Sequence, residues 1–351
     1  MDKAKLEALV ATGEVLSDLD LSGLDLTGAN LGGAVFERVS FAGAKFDGAS
    51  LKESFLSACD LSGAALSGAG LRHVTLHKCA LRAAVLERAD AKLARFTECD
   101  LGAAKLTGAD FLATAFVKSS LAMAVLDGAN LDRTQFLETD FAGTSFVGAT
   151  MRHTVLYEAD LREAKLRGTK LDTVVLLKAK LARMDLSEME LELCQFQDAD
   201  LEGVNLSGAN ITQGNFKSAN LKGALLDGAK AGKAMFAAAE LSKASFKKVF
   251  LRESLFVEAQ ATEADFTGAD AQMTVWMRAN CQGSLFRDAD LTYAEMSHAD
   301  VSGADFSGAK LMRTRLHAIK DKDAVFGPGK LVAIGTDKEL EEAENWQPSA
   351  T

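Results

Sequence analysis

Large apolar residues recur along this chain at every fifth position. From Leu16 to Leu316, the positions whose numbers end in 1 or 6 form 61 consecutive sites, and 56 of them hold Leu, Phe, Ile, Met, Val or Trp. Two positions earlier the residue is mostly small, and one position earlier Asp or Asn is frequent. An amphipathic helix repeats its apolar positions about every 3.6 residues, and a half-buried strand about every two. A period of five therefore fits neither, and it indicates a chain that turns once in every unit.

The distribution of glycine and proline supports frequent turns and continuous backbone pairing. Glycine is common two positions after the large apolar site, as at Gly23, Gly28 and Gly128. Such positions suit a turn residue with positive φ. Proline is absent from residues 15–318. We interpret this absence as a need for every backbone N–H in hydrogen bonds between stacked coils.

The repeated unit resembles that of the pentapeptide-repeat family, which reads A(D/N)LXX. Clear examples are Ala29-Asn30-Leu31, Ala109-Asp110-Phe111 and Ala199-Asp200-Leu201, and the resemblance covers residues 15–318. It implies an all-β fold, a right-handed quadrilateral parallel β-helix of about 15 coils, with four units to a coil. The resemblance also implies that the sites ending in 1 or 6 and those ending in 4 or 9 point into a narrow core.

The outward sites, whose numbers end in 5 or 0, show the 20-residue coil independently. When they are sorted into four groups by position modulo 20, one group has large apolar residues at eight of its sixteen sites. The other three groups have four, one and none. A period of five alone would not separate the sites in this way, so one side of the predicted β-helix is more apolar than the others.

The pattern divides the chain into three segments. Residues 1–14 have Leu6, Leu9 and Val10 at helical spacing, which predicts a short helix that caps the first coil. Residues 15–318 are the repeat. Residues 319–351 are predicted to form a turn at 325–329 and a short helix from a capping box at Thr336 to about Trp346, ended by Pro348. This last segment either caps the β-helix or forms a dimer contact.

Composition narrows the class of protein. The 39 Lys and Arg residues against 49 Asp and Glu give a net charge of −10, which argues against direct binding of nucleic acid or anionic membranes. No apolar run is long enough for a membrane span, and the first residues lack the apolar core of a signal peptide. Five cysteines form no closed disulfide framework. We therefore expect a cytoplasmic protein.

The apolar outward sites are the strongest functional signal. On one side they form pairs of neighbours on stacked strands, and exposed apolar patches of this kind mark protein interfaces. In the competing interpretation, the long charged side chains of Lys178, Glu158 and Arg278 lie over these apolar residues and keep them from pairing. The predicted interface, for a protein partner or a second copy in a homodimer, consists of Val155, Tyr157, Val175, Leu177, Met235, Leu255, Val257, Val275 and Met277.

A second group of outward sites forms an acidic stripe. Some members of the pentapeptide-repeat family mimic duplex DNA in size and charge and bind DNA gyrase, so the resemblance offers a gyrase or topoisomerase inhibitor as an alternative function. The competing interpretation is that Asp at this site stabilises a turn by hydrogen-bonding nearby backbone. The sequence also lacks the loop insertions of the quinolone-protecting members. The stripe consists of Asp20, Asp60, Asp100, Asp140, Asp160 and Asp200.

Catalytic and metal chemistry have little support in the sequence. His298 and His317 fall on one face in adjacent coils, but two ligands are fewer than a metal site usually needs, so we expect a solvated pair. Cys59, Cys79 and Cys99 are expected to stack in the core as small hydrophobes. A loopless β-helix offers no concave pocket. We therefore predict no enzyme activity, no metal and no cofactor.

Two further expectations concern the tail and the core. The segment from Ala333 to Trp346 resembles pentapeptide proteins of type VI secretion clusters, which suggests an accessory role there as a third hypothesis. Residues spaced by 20 should stack in columns, and Gly214 is expected to leave a small gap where Ala is usual. The columns that contain aromatic residues are Phe96, Phe116 and Phe136, and then Phe196, Phe216, Phe236, Phe256 and Trp276.

Overall fold

The computed structural model describes residues 1–346. Pro348, the predicted stop of the last helix, lies outside the described residues. The chain divides into two compact units, unit 1 (Met1–Lys180) and unit 2, which begins at Leu181. Within each unit, residues 20 apart pair in parallel along successive coils. The predicted parallel β-helix is therefore confirmed.

Unit 1 opens with a helix and continues as stacked strands. Helix α1 (Lys3–Ala11) begins after Asp2, whose side chain accepts a hydrogen bond from Lys5 N, and its Leu6 is fully buried. Eight parallel strands then form one sheet in chain order. They are β1 (Val15–Ser17), β2 (Val35–Glu37), β3 (Phe55–Ser57), β4 (Thr75–His77), β5 (Arg95–Thr97), β6 (Ala115–Val117), β7 (Gln135–Leu137) and β8 (Val155–Tyr157).

The other three sides of each coil in unit 1 pair through single residues. In the first coils, Asp20 pairs with Ser40, and the sites five and ten residues further on pair in the same way. Each coil thus has four pairing sites, one in every five residues, which gives the four sides implied by the resemblance. Because the middle residue of each strand points inward, the large side chains meet along the axis of the coils.

Unit 2 repeats this pattern with shorter strands. Single-residue pairs begin with Asp185 and Asn205, and the strands among its described residues are β9 (Asp305–Phe306) and β10 (Val325–Phe326). The prediction of a turn starting at residue 325 is wrong, because β10 pairs in parallel with β9 and the Phe326 ring stacks on Phe306 at 4.8 Å. The repeat therefore extends past Asp321.

The C-terminal segment follows β10. A 3-10 turn at Pro328–Val332 precedes helix α2 (Lys338–Glu344). The N-cap of α2 is Asp337, not Thr336, since the Asp337 side chain accepts hydrogen bonds from Glu339 N and Leu340 N. Ile334 O accepts a hydrogen bond from Leu316 N on the preceding coil. None of the described helices is long and apolar enough to cross a membrane.

The core contains the predicted aromatic columns. Phe116 stacks between Phe96 at 4.8 Å and Phe136 at 5.1 Å, with ring planes 10° and 11° apart. In unit 2 the Phe256 and Trp276 rings lie 3.9 Å apart at 2°. These stacks follow from the register, because identical sites on successive coils lie one strand spacing apart.

Gly214 corrects an expectation. A Cβ atom there would lie 2.8 Å from Phe216 Cε2 and 2.9 Å from the carbonyl oxygen of Ile211. The space that Ala occupies elsewhere is therefore filled by the Phe216 ring, and Gly214 leaves no gap.

The turns require the left-handed backbone conformation and not glycine as such. Gly23 has φ +68°, but the equivalent position three sides further along the chain is held by Arg38 at φ +53°. Most non-glycine residues at these positions therefore accept strain on the order of 1 kcal/mol each. Hydrogen bonds between coils, such as Arg38 N to Ser57 O at 2.9 Å, hold them there.

Candidate protein-binding faces

An apolar surface in unit 2 follows three stacked rungs. Met235 pairs with Leu255, and Leu255 with Val275, so their outward side chains form a ladder. Val257 and Met277 lie two residues further along the upper rungs, and Met235 is 37 % exposed while the other four are half-buried. We call these five residues the unit 2 apolar face. Each predicted interface residue of unit 2 thus belongs to one surface.

Charged residues flank this face and pair with one another. On one edge, Lys233 Nζ lies 3.7 Å from the Glu253 carboxylate. On the other edge, Arg278 Nε donates to Glu258 Oε1 at 3.0 Å. In the competing interpretation Arg278 lies over the apolar side chains, whereas here its guanidinium is paired with Glu258. Each edge carries both charge signs, so the face presents no net field that would repel a second copy.

The apolar residues of unit 1 are more covered. Val155 pairs with Val175, and Tyr157 and Leu177 lie beside them, all half-buried. Lys178 Nζ lies 5.7 Å from the centre of the Tyr157 ring and 3.3 Å from Glu158 Oε1. The hydrogen bond to Glu158 raises the pKa of Lys178, so the ammonium stays charged in this position. The competing interpretation, in which charged neighbours cover the patch, therefore applies to Tyr157.

Two exposed side chains next to the unit 2 apolar face were not predicted. Met273 is 53 % exposed two residues before Val275, and Tyr293 is 49 % exposed on the following coil, with the Arg313 guanidinium 5.8 Å from its ring centre. Both occupy turn positions, where glycine is the common residue of the repeat. A search for large apolar residues at positions ending in 3 would have found them.

The C-terminal segment also exposes large apolar side chains that the sequence interpretation did not single out. Leu331 is 89 % exposed, Trp346 72 % and Val332 54 %. The sequence could have indicated their exposure, because an isolated apolar residue in a short polar helix or turn has no core in which to be buried.

The residues of the acidic stripe act in their turns. In each one, Oδ1 accepts the backbone N–H two residues later, at 3.0 Å for Asp20, 2.9 Å for Asp60 and 3.3 Å for Asp200. Asp100, Asp140 and Asp160 make the same bond. Two of them also face cations, because Arg82 pairs with Asp100, and Arg162 and Lys180 with Asp160. Every member of the stripe therefore has a structural role, and the gyrase hypothesis stays a prediction.

A surface cleft lies along part of this stripe in unit 1. It measures ≈ 330 Å³ and is lined by Asp140, Ala142, Asp160, Arg162 and Glu163. The hydrogen bond from Arg162 lowers the pKa of Asp160, so this carboxyl stays ionised at neutral pH. Its lining has three carboxylates and one guanidinium, and no hydroxyl, thiol or imidazole.

The histidines and cysteines are placed differently from each other. His298 and His317 approach as predicted, with ring centres 5.3 Å apart, but His317 is only 2 % exposed, so the expectation of a solvated pair is wrong for it. Glu344 of α2 reaches both rings.

The cysteines Cys59, Cys79 and Cys99 are buried, free thiols, and Cys79 Sγ donates to the carbonyl oxygen of Leu56 at 3.4 Å.

Comparison with known proteins agrees with the repeat. Two family models match the chain, a pentapeptide repeat region at residues 29–106 and pentapeptide repeats in several overlapping stretches between residues 94 and 317. No curated protein matches it in sequence.

The solved structures that the chain matches include three that differ in source. QnrB1, a plasmid-mediated fluoroquinolone resistance protein, is 17 % identical, with 52 % of this chain and 91 % of that one covered and a TM-score of 0.38. HetL, involved in heterocyst differentiation regulation in the cyanobacterium Nostoc, is 22 % identical over 90 % and 96 %, with a TM-score of 0.25. A pentapeptide repeat protein of the Arabidopsis thaliana thylakoid lumen is 19 % identical over 45 % and 78 %, with a TM-score of 0.12.

Proposed function

Since the chain belongs to the pentapeptide-repeat family, we propose that it is a non-enzymatic protein-binding β-helix whose partner is a second copy of itself. The observation that carries this proposal is the unit 2 apolar face. Its ladder of Met235, Leu255 and Val275 keeps large apolar side chains partly in water on three successive rungs. Burying such surface is the main favourable term in protein association.

The charges around the face favour a second copy over a strongly charged partner. Lys233 pairs with Glu253 on one edge, and Arg278 with Glu258 on the other. In a two-fold dimer the same patch meets itself, so each edge must tolerate its own charges. Edges with both signs satisfy that condition and allow each acid to face a base of the partner.

The size of the face sets a further requirement. A stable interface buries about 800 Å² on each partner, which is more than five side chains supply. We propose that Met273 and Tyr293 extend the contact, because they are exposed beside Val275. Aromatic and Met side chains are enriched in interfaces of this kind.

Size-exclusion chromatography with light scattering tests the proposal on three proteins. We expect the wild type to be a dimer and Leu255→Asp/Val275→Asp to be a folded monomer, because two carboxylates would have to be buried in the contact. The control is Leu225→Asp/Leu285→Asp, which makes the same change at outward sites on a different side of unit 2. It should remain a dimer. A monomeric wild type, or a dimer that survives the first pair of substitutions, would contradict the proposal.

A further inference from the structure

Three titratable side chains converge where the last coils meet the C-terminal segment. His298 Nε2 lies 3.3 Å from Glu344 Oε1, and His317 Nε2 lies 3.1 Å from Glu344 Oε2. His317 is 2 % exposed, whereas the side chain of Glu344 is 38 % exposed. The carboxylate at the end of α2 thus spans the two rings, and it is one of the contacts by which α2 meets the coils.

A backbone hydrogen bond fixes the proton on the buried ring. Asp337 N donates to His317 Nδ1 at 3.2 Å. Nδ1 must therefore be an acceptor, so the single proton of neutral His317 lies on Nε2, from which it is donated to Glu344. In this form His317 ties both ends of α2, its N-cap Asp337 and its last residue Glu344, to one ring.

The same bond argues against a metal ion among these three side chains. A metal bound at Nε2 would displace its proton, and a ligating histidine almost always donates its other ring N–H to an acceptor. Here Nδ1 faces the N–H of Asp337, which is a donor. The arrangement is therefore that of a hydrogen-bonded link between neutral imidazole, carboxylate and backbone.

We propose that His317 is a pH-responsive latch that holds α2 on the last coil when the ring is neutral and releases it when Nδ1 takes up a proton. Histidine is the side chain whose charge ordinarily changes between about pH 5 and 8. Protonation would turn Nδ1 into a donor that faces another donor, and the buried bond to Asp337 would be lost.

The carboxylate of Glu344 opposes this direction because it attracts a protonated ring, and we place the loss of the buried Asp337 bond above this attraction. The hydrogen bond from His317 lowers the pKa of Glu344, so this carboxylate stays ionised over the same range. Its attraction to a protonated ring is weakened by water, because Glu344 is partly exposed. The other groups near His317 are the His298 ring, 5.3 Å away between centres, and the carboxylate of Asp337, which is engaged in capping α2.

The charged residues on the coil of His317 have partners elsewhere. Arg315 pairs with Glu295 at 3.3 Å, and Lys320 with Asp300 at 4.0 Å. Neither supplies an acceptor for a protonated Nδ1. Release would uncover the edge of the last coil, including Ala318 N, which now donates to Thr336 Oγ1 at 3.3 Å.

Hydrogen–deuterium exchange of the full chain at pH 8.0 and pH 5.5 tests the latch. After correction for the intrinsic exchange rate, we expect the protection of the α2 amides to fall about tenfold or more at pH 5.5, as when a buried donor loses its acceptor. Amides of the coils in unit 1 should keep their protection and serve as the internal reference.

Two variants separate the latch from general acid sensitivity. His317→Asn places an amide oxygen near the Nδ1 position and cannot titrate, so it should lose the pH dependence whatever its baseline protection. His298→Asn removes one contact to Glu344 and should keep the pH dependence. Equal or greater protection at pH 5.5 in the wild type would overturn the proposal, and so would a pH effect that persists in His317→Asn. Stoichiometric Zn²⁺ that protects α2 at pH 8.0 would instead establish a metal site and would overturn it too.

Discussion

The repeat pattern and the structure predict opposite effects on stability when Gly214 is replaced by alanine. Ala is usual at this position of the repeat, and a Gly to Ala change where the backbone permits it stabilises a protein by about 0.4–1 kcal/mol. In the structure, the new Cβ would lie 2.8 Å from Phe216 Cε2 and 2.9 Å from Ile211 O. The Phe216 ring is stacked between Phe196 at 4.8 Å and Phe236 at 5.0 Å, so it cannot shift along the column. The second close atom, Ile211 O, belongs to the backbone. We therefore expect Gly214→Ala to lower the free energy of unfolding by about 1–3 kcal/mol, the usual cost of overpacking.

Urea denaturation followed by tryptophan fluorescence measures this change. Trp276 is fully buried in the same aromatic column, so its emission reports on unit 2. The background variant Trp346→Phe removes the exposed second tryptophan. Gly335→Ala is the control, since a Cβ there has no atom within 4 Å. A stabilised Gly214→Ala would refute the packing argument and would restore the gap that the sequence pattern predicts.

Three other predictions follow from the core and the turns. Phe116→Ala should lower the free energy of unfolding by about 3–5 kcal/mol, whereas Phe116→Leu should lower it much less. Hydrogen exchange in unit 1 would measure both losses, and equal losses would argue against stacking. Hydrogen bonds from Ser307 and then Arg287 lower the pKa of Asp305 to about 2. The stability that ionised Asp305 contributes is present above about pH 4 and is lost as pH falls toward 2. Urea titrations at pH 4.5 and 2.5 should therefore show a smaller loss of stability at the lower pH in Asp305→Asn than in the wild type. Burial raises the pKa of the Cys281 thiol, so Ellman's reagent at pH 8 should label it after unfolding only, and rapid labelling of the native protein would contradict its burial.

The fold could be predicted because one feature recurs without interruption. A large residue every five positions requires an inward site on each side of a coil, and a 20-residue register then places Phe96, Phe116 and Phe136 in one column. The family resemblance implied four sides, and the sorting of the outward sites by position modulo 20 supported this number independently. The ends were harder to predict, because β10 continues the pairing after Asp321 breaks the pattern, and Phe326 still finds Phe306. One polar residue at an inward site does not stop backbone pairing.

For the functional surfaces, the sequence could predict which residues point outward but not how their side chains pair. The outward sites of the unit 2 apolar face follow from the register, but the pairing of Arg278 with Glu258 depends on side-chain conformation, which the sequence does not specify. The same holds for His317, whose burial results from α2 folding back over the coil. The roles of the predicted interface, the cytoplasmic location and the secretion-cluster hypothesis stay predictions.

Photo-crosslinking at single sites tests most directly whether the unit 2 apolar face binds protein. Benzoylphenylalanine would replace Val257 on the face and, as the matched control, Lys247, which lies ten residues earlier and so on the opposite side of the coil. We expect purified protein to form a crosslinked dimer from position 257 and none from position 247. The crosslink should map by mass spectrometry to the same face of the second copy. Equal crosslinking at both positions, or none at 257, would contradict it.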